Sequence, residues 1–186
     1  MAGQVSEPLH AAARIIHQGG IVAYPTEAVF GLGCDPASEA AVRRLLALKQ
    51  RPVSKGLILL GASAEQLRPW IDVTDAQLAQ MQASWPGPTT WVVPASERTP
   101  AWVRGDHPGV AVRVAGHPLA RALAQASGTP IISTSANLSG QPSARTADEV
   151  RQQFGEQIDG LVPGQCDLAA KPSTIVDLIS GRILRG

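Results

Sequence analysis

Three cations stand close together in the segment KQRPVSKG. Lys49, Arg51 and Lys55 follow a run of helical periodicity, with Pro52 and Gly56 beside them. A cation at the end of a helix often does no more than complement the helix dipole. Because Pro52 and Gly56 fix a loop here, the cations can instead converge, and Lys49 with Arg51 could neutralise a phosphate.

A second segment, PIISTSANLSG, leads from a predicted strand into a row of hydroxyls and amides. These are Ser133, Thr134, Ser135, Asn137 and Ser139. Each one alone could cap its own backbone in a turn. Together with backbone N–H groups, such side chains can cradle phosphates in place of glycines. Ligands of α/β sheets bind outside the carboxyl ends of strands, so a phosphate site is predicted here.

The segment YPTEAVFGLG also joins a strand end to polar groups. Its glycines, Gly31 and Gly33, do not form a GxGxxG pattern and by themselves indicate a plain turn. The sequence contains no GxxxxGK[ST] pattern, so a nucleotide would have to be held without the usual phosphate loop. No histidine stands at triad spacing from Ser133 or Ser135, which argues against an acyl nucleophile.

Composition limits the class of protein. The chain has 186 residues, 44% hydrophobic and 17% charged, with a formal net charge of +1. This length suits one domain with a sizeable core. The ordinary apolar content argues against disorder, and the near-neutral net charge argues against a strongly basic nucleic-acid binder. A polyanion would therefore have to meet a local patch of cations.

Cysteine usage and the absence of a leader pattern predict a cytoplasmic protein. Cys34 and Cys166 stand far apart without a CxxC pattern or a histidine cluster, so neither a disulfide framework nor a zinc site is expected. No secretion signal precedes the first helix. The uncharged residues 122–144 are broken by glycines and prolines, which argues against a membrane span. The four histidines are expected to be surface or capping residues.

The apolar pattern predicts the elements that position these segments. Helical periodicity covers residues 6–18 and 38–49, and capping-box patterns at Thr74/Gln77 and Thr146/Glu149 start two further helices. Short apolar runs predict strands at residues 21–24, 57–60, 90–93, 110–114, 131–133 and 174–178. Helices and strands alternate without a repeat, which indicates one domain over residues 1–186, an α/β fold with an open mixed sheet and flanking helices.

Residues 94–109 interrupt this alternation with three prolines and no periodicity. Too little chain follows for a second core, so we expect a long surface loop there rather than a domain linker, able to move over a site.

Six motifs in consistent order resemble those of the YrdC-type threonylcarbamoyl-AMP synthases, and most closely their short bacterial form. They are YPTEAVFGLG, KQRPVSKGL, WPGPTT, VAVRVAGHPL, STSANLSG and PSTIVD. The resemblance implies a twisted open α/β sheet around a concave basic cavity, similar to the DHBP synthase fold.

The resemblance also implies a reaction. L-threonine, bicarbonate and ATP would give threonylcarbamoyl-adenylate and pyrophosphate, which makes the protein a nucleotidyltransferase. The adenylate would serve the modification of the adenosine beside the anticodon of tRNA, through partner proteins of the TsaD, TsaB and TsaE type, with weak tRNA binding by this chain. Mg²⁺ is expected on the triphosphate rather than on protein ligands, because no paired-carboxylate cage is visible.

The family's KxR…SxN tetrad falls on Lys49, Arg51, Ser135 and Asn137, which the resemblance implies to be catalytic and ATP-binding. The carbamate of threonine would attack the α-phosphate while pyrophosphate leaves, so alignment and charge stabilisation should provide the rate. Lys49 and Arg51 are assigned to phosphate charge, and Ser135 and Asn137 to nucleotide positioning. No side-chain nucleophile is needed.

The remaining site residues implied by the resemblance form two sets. Threonine contacts are assigned to Thr26, Arg113 and Thr174, the last in a motif that closes the cavity. Further ATP contacts are assigned to Lys55, Thr90, Ser133 and Ser143. Three positions depart from the family pattern. Ala28 and Phe30 lack hydroxyls that many relatives carry, and Gly56 replaces a common proline.

Two other functions are weighed against this one. A non-catalytic RNA-binding protein could use the same basic cavity, but the net charge of +1 and the absence of an aromatic stacking platform oppose it. A carbamoyl-transfer module of hydrogenase maturation uses a related domain, but normally together with acylphosphatase and zinc-finger segments that this sequence lacks.

Overall fold

The computed structural model describes residues 6–186 of the chain. Helix α1 begins after Ser6, as its periodicity predicted, and α2 begins after Ser38, whose side chain accepts a hydrogen bond from the Ala41 N–H. The helices are α1 Glu7–His17, α2 Glu39–Lys49, α3 Ala64–Leu67, α4 Asp75–Gln82, α5 Ala101–Arg104, α6 Pro118–Ser127 and α7 Ala147–Phe154. In this part of the chain no helix has the length and apolar character needed to cross a membrane.

One mixed sheet of nine strands runs through the described residues, in the order β7-β1-β2-β6-β3-β5-β4-β8-β9. The strands are β1 Val22–Pro25, β2 Phe30–Gly33, β3 Ile58–Gly61, β4 Thr89–Pro94, β5 Gly109–Val114, β6 Ile131–Ser135, β7 Gly160–Leu161, β8 Thr174–Asp177 and β9 Ile183–Arg185. Strand β6 is antiparallel to both its neighbours, while β3 pairs in parallel with β5. The predicted α/β class and open mixed sheet are confirmed.

Helices cover both faces of the sheet. Alternate residues of a strand point to opposite faces, so Leu60 packs with the helix residues Leu9 and Leu123, whereas its neighbour Leu59 packs with Val42 and Val103. One apolar layer therefore lies under α1 and α6, and the other lies under α2, α4, α5 and α7. Burial on both faces explains why the central strands read as short continuous apolar runs.

Strand β2 replaces the plain turn that Gly31 and Gly33 indicated. It pairs with β1, and the Tyr24 ring lies over both glycines. A Cβ atom on Gly33 would stand 2.8 Å from Tyr24 Cε1 and 2.6 Å from the Ile132 carbonyl oxygen. The two glycines therefore make room for a buried ring rather than for a turn.

Residues 94–109 are more ordered in structure than the predicted surface loop. They contain α5, whose Val103 is fully buried, and the Thr99 hydroxyl donates to the Trp70 carbonyl oxygen at 2.5 Å. The Leu57 N–H also donates to Val103 O, which ties the segment to the start of β3. The prolines interrupt helical periodicity in the sequence, but the segment still packs against the core through Val103.

The two capping boxes have different outcomes. Thr74 and Gln77 form both reciprocal hydrogen bonds at the start of α4, as predicted. Thr146 accepts from the Glu149 N–H, but the Glu149 carboxylate accepts from the Arg145 N–H, one residue before the cap. Of the two hydrogen bonds predicted for this second box, the one to the Thr146 side chain is therefore confirmed. The other was wrong, because the Glu149 side chain extends past the Thr146 N–H to the Arg145 N–H.

Candidate active site

A cavity of about 520 Å³ opens where β1 and β6 end and β2 begins, and β4, β5, β8 and β9 also line it. The sheet registers bring the polar segments together, since Ser135 lies opposite Gly31 and Ser133 lies opposite Ile58. Seven of the eleven predicted site residues line it: Thr26, Arg51, Lys55, Arg113, Ser133, Ser135 and Ser143.

Positive charge is concentrated in this cavity. Six cations line it: Arg51, Lys55, Arg104, Arg113, Lys171 and Arg185. Glu27 is the one acidic residue among the described lining residues. The chain as a whole has 16 basic and 15 acidic side chains, so the near-neutral balance conceals a strongly cationic site suited to a polyanion.

Lys49 lies beside the cavity rather than in its wall. Its side chain is buried, and the ammonium donates to the Ser135 carbonyl oxygen, to Asn137 Oδ1 at 2.9 Å and to Asn137 O at 3.3 Å. Burial, with a smaller contribution from the nearby Arg51 charge, lowers the pKa of Lys49 to about 8. In this geometry Lys49 holds the loop that follows β6.

The other three residues of the tetrad are also hydrogen-bonded within the protein. Ser135 Oγ donates to Asn137 Oδ1 at 2.8 Å, and Asn137 Nδ2 donates to the Leu138 and Gln141 carbonyl oxygens. Arg51 donates to Gly56 O through Nη2 at 3.0 Å, and burial lowers its pKa. Because Ser135 bonds to an amide and not to a histidine, these contacts do not activate it as a nucleophile.

Arg113 and Glu27 form an ion pair at the cavity wall. Arg113 Nη1 donates to Glu27 Oε2 at 2.7 Å, and Glu27 Oε1 accepts from the His117 N–H at 3.3 Å. Arg113 Nε is buried, and no group within residues 6–186 accepts from it. A buried donor without a partner is uncommon, so this edge of the guanidinium is available to a ligand.

Thr90 and Thr174 lie behind the main cavity. Thr90 is fully buried, and its Oγ1 lies 2.9 Å from Ser173 Oγ, which does line the cavity. Thr174 lines a neighbouring cavity of about 710 Å³ that shares Glu27, Lys171 and Pro172 with the first. These two predicted residues therefore support the site from outside its surface.

A coil segment, residues 163–173, separates the two cavities, and we call it the strap. Arg145 donates to two carbonyl oxygens of the strap, Leu168 O at 2.7 Å and Ala170 O at 3.5 Å. It also donates to Ala28 O at 3.2 Å in the YPTEAVFGLG segment, which we call the YPTE segment. His117, which caps α6 as a histidine was expected to do, has Nε2 2.8 Å from Gln165 O. Arg145 thereby joins the two segments that carry Lys171 and Glu27.

Sequence reasoning missed several lining residues, namely Glu27, Arg104, Lys171, Ser173 and Arg185. Glu27 stood within a motif that had been singled out, so its charge was a usable signal. Arg185 donates to Ser173 O and Ser173 Oγ from the last strand, and its pKa is lowered by burial and by the nearby Arg113 charge. No local pattern around Lys171 or Arg185 indicated these long-range contacts.

A protein-held metal ion has no evident site. In the part of the chain that the structure describes, no group of three or more histidine, cysteine, aspartate or glutamate side chains is placed to bind one. A cation accompanying a polyanion would therefore be held through the polyanion's own oxygens and water.

Comparisons with known proteins identify the family. The family model for Sua5, YciO and YrdC proteins, described as "Telomere recombination", matches residues 14–186. A threonylcarbamoyl-AMP synthase of Escherichia coli O1:K1 is 53% identical over 182 residues, covering 96% of this chain and 95% of that protein. One from Xanthomonas euvesicatoria pv. vesicatoria is 49% identical over 180 residues, covering 95% of this chain and 96% of that protein.

A solved structure shows the same fold. P. abyssi Sua5 complexed with L-threonine matches 91% of this chain with a TM-score of 0.85 and 37% identity. The chain spans half the length of that protein, whereas it spans nearly all of the two bacterial synthases.

Proposed function

The chain belongs to the Sua5/YciO/YrdC family, and on this premise we propose that it is a threonylcarbamoyl-AMP synthase. The observation that carries the proposal is one cavity that gathers six cations beside the hydroxyls of β6 and contains a single Arg113–Glu27 pair. Such a cavity suits a triphosphate together with a small zwitterion. The relatives' names support this enzyme and not the RNA-binding alternative.

The reaction proposed is the transfer of an adenylyl group. The amine of L-threonine attacks bicarbonate with loss of water, or carbon dioxide with loss of a proton, to form a carbamate. The carbamate oxygen then attacks the α-phosphorus of ATP, and the bond to pyrophosphate breaks. The products are threonylcarbamoyl-adenylate and pyrophosphate, so the enzyme is a nucleotidyltransferase acting by alignment and charge stabilisation.

The lining cations would bind the triphosphate. Arg51 and Lys55 lie on the same loop, and Ser133, Ser135 and Ser143 add hydroxyl donors to the same cavity. ATP would enter as its magnesium complex, since Glu27 is the one acid among the described lining residues. We assign Lys49 and Asn137 to holding the backbone around Ser135, which refines the role in phosphate charge expected for Lys49.

The threonine would lie beside the Arg113–Glu27 pair. Thr26, also predicted to contact threonine, lines the same wall, and its hydroxyl donates to Val29 O at 2.5 Å, leaving oxygen lone pairs as acceptors. Thr90 and Thr174 support this wall through the strap and its junction with β8.

The product would serve tRNA modification. Threonylcarbamoyl-adenylate is a reactive mixed anhydride, and proteins of the TsaD, TsaB and TsaE type would transfer its acyl group to the adenosine beside the anticodon. The whole chain, as one YrdC-like domain in the cytoplasm, would make the adenylate, with at most weak tRNA binding.

One assay tests the proposed function. Purified protein is incubated with ATP, L-threonine and bicarbonate, pyrophosphate release is followed, and threonylcarbamoyl-adenylate is sought by mass spectrometry. Release that needs all three substrates is expected. If no pyrophosphate or adenylate forms with all three present, the assignment is wrong.

A further inference from the structure

The Arg113–Glu27 pair is chemically unlike the rest of the main cavity. The five other cations that line it are Arg51, Lys55, Arg104, Lys171 and Arg185, and none forms an ion pair with an acid within residues 6–186. Arg113 alone among the six is paired with a carboxylate. The cavity thus contains five cations without an acidic partner and one position at which both signs of charge are fixed side by side.

The guanidinium of Arg113 has a free edge. Glu27 occupies Nη1, while Nε is buried without an acceptor and the side chain is only 9% exposed. The edge formed by Nε and Nη2 can bind a planar carboxylate through two parallel hydrogen bonds. Such a ligand would satisfy a buried donor that the protein itself leaves unpaired.

Glu27 can accept more hydrogen bonds than it receives. Its two oxygens accept one bond each, from Arg113 Nη1 and from the His117 N–H. An ionised carboxylate has about four lone-pair sites, so both oxygens keep capacity for a further donor. The side chain is 21% exposed and lines both cavities, which leaves it accessible to a cationic group of a ligand.

We infer that Glu27 and Arg113 together recognise the zwitterion of an α-amino acid. The free guanidinium edge binds the α-carboxylate, and the Glu27 carboxylate binds the α-ammonium group before the amine reacts. This inference rests on the proposed function, which supplies L-threonine as the amino acid.

Glu27 is therefore a specificity-determining residue that the sequence motifs did not assign. Its role differs from that of a residue that only orients Arg113. An orienting role affects every carboxylate ligand equally, whereas recognition of the ammonium group affects only ligands that carry one.

The test compares L-threonine with 2,3-dihydroxybutanoate, which has a hydroxyl in place of the α-ammonium, by calorimetric titration. The unaltered protein should bind L-threonine at least about 10-fold more tightly, because hydrogen bonds to charged groups contribute about 1.5–3 kcal/mol. Glu27→Gln should weaken L-threonine binding at least about 10-fold and hydroxy-acid binding less than about 3-fold. ATP affinity should stay within about 2-fold.

The matched control is Glu65→Gln, which removes the same charge from an exposed position on α3 and should change none of these affinities. Equal weakening of both ligands in Glu27→Gln would overturn the inference, since it would mean that Glu27 only orients Arg113. Equal affinity of the unaltered protein for both ligands would also overturn it, without any variant. If the unaltered protein makes the adenylate but shows no such preference, the inference fails while the proposed function stands.

Discussion

Lys49 illustrates how a motif residue can act through its neighbours. Its ammonium donates to three oxygen atoms of Ser135 and Asn137, and the side chain does not reach the cavity wall. Arg51, two residues later, does line the cavity. The two cations of the same motif are therefore expected to give different kinetic signatures when each is removed.

Replacing Lys49 should lower kcat more than it raises the KM for ATP. Lys49→Met keeps most of the side-chain volume but removes all three hydrogen bonds, so the Ser135 loop loses its position and turnover falls at least about 10-fold. Arg51→Ala should instead raise the KM for ATP at least about 10-fold, because it removes a lining charge. Steady-state kinetics at varied ATP concentration measure kcat and KM for each variant. If Lys49→Met and Arg51→Ala changed kcat and the KM for ATP in the same way, the different roles assigned to the two residues would be contradicted.

The pH dependence should carry the signature of the Lys49 ammonium. Burial and the Arg51 charge lower its pKa to about 8, so the cation is present below this pH and is lost as the pH rises through it. Turnover should therefore fall on the alkaline side of about pH 8. Lys49→Arg keeps a cation at all these pH values and should remove that decline. An unchanged alkaline limb in Lys49→Arg would assign the decline to another group.

At the scale of elements, close packing fixes the backbone around the site. Strand β2 passes under the Tyr24 ring, and the Tyr24 hydroxyl donates to the Ile132 carbonyl oxygen at 3.1 Å. Strands β1, β2 and β6 are thus held together by one buried side chain. Their ends carry Thr26, Glu27 and Ser135, so stability and site geometry are linked here.

Gly33→Ala should destabilise the protein by about 1–3 kcal/mol, the usual cost of overpacking a core. The added Cβ would lie 2.6 Å from a backbone oxygen and 2.8 Å from the Tyr24 ring, and neither can move freely. Urea unfolding measures the effect. Gly186→Ala, where nothing stands within 4 Å, is the control and should leave the free energy of unfolding unchanged. Equal stability of both variants would show that β2 can shift at little cost.

Arg145 should determine how firmly the strap is held. Arg145→Ala removes three hydrogen bonds to carbonyl oxygens of the strap and the YPTE segment, so amide hydrogen exchange in residues 167–171 should become faster. Arg151→Ala, which removes an exposed arginine of α7 paired only with Asp148, is the matched control and should leave this exchange unchanged. Equal exchange in the two variants would mean that other contacts hold the strap.

Local patterns predicted the elements whose signals are local. Helices α1 and α2 were predicted from their periodicity and α4 from its capping box, because both signals depend on residues a few positions apart. Strands β2 and β9 were not predicted, because β2 contains two glycines, which are typical of turns, and β9 has only three residues, all of them exposed. The same division holds in the site. Motifs supplied Arg51, Ser135 and Arg113, whereas Lys171 and Arg185 enter through the tertiary fold.

Over the whole molecule, charge is distributed unevenly. Six of the sixteen basic side chains and one of the fifteen acidic ones line the main cavity, so the remaining surface carries more acid than base. A nearly neutral chain can therefore attract a triphosphate into one cavity without attracting polyanions over its whole surface.

Salt should weaken ATP binding much more than threonine binding. Raising ionic strength from about 0.05 to 0.3 M screens the attraction between the cationic wall and a triphosphate, so the KM for ATP should rise several-fold. Threonine is a zwitterion without net charge, and its KM should change less than about 2-fold. Parallel changes in both KM values would contradict a triphosphate attracted mainly by the lining cations and a threonine bound as a zwitterion.

Arg185 gives the fold a consequence for biosynthesis. This residue lies in β9 and is one of the six cations that line the main cavity. Thr26 and Glu27, which line the same cavity, directly follow β1. A nascent polypeptide therefore lacks one of the six lining cations until β9 has emerged from the ribosome and has paired with β8.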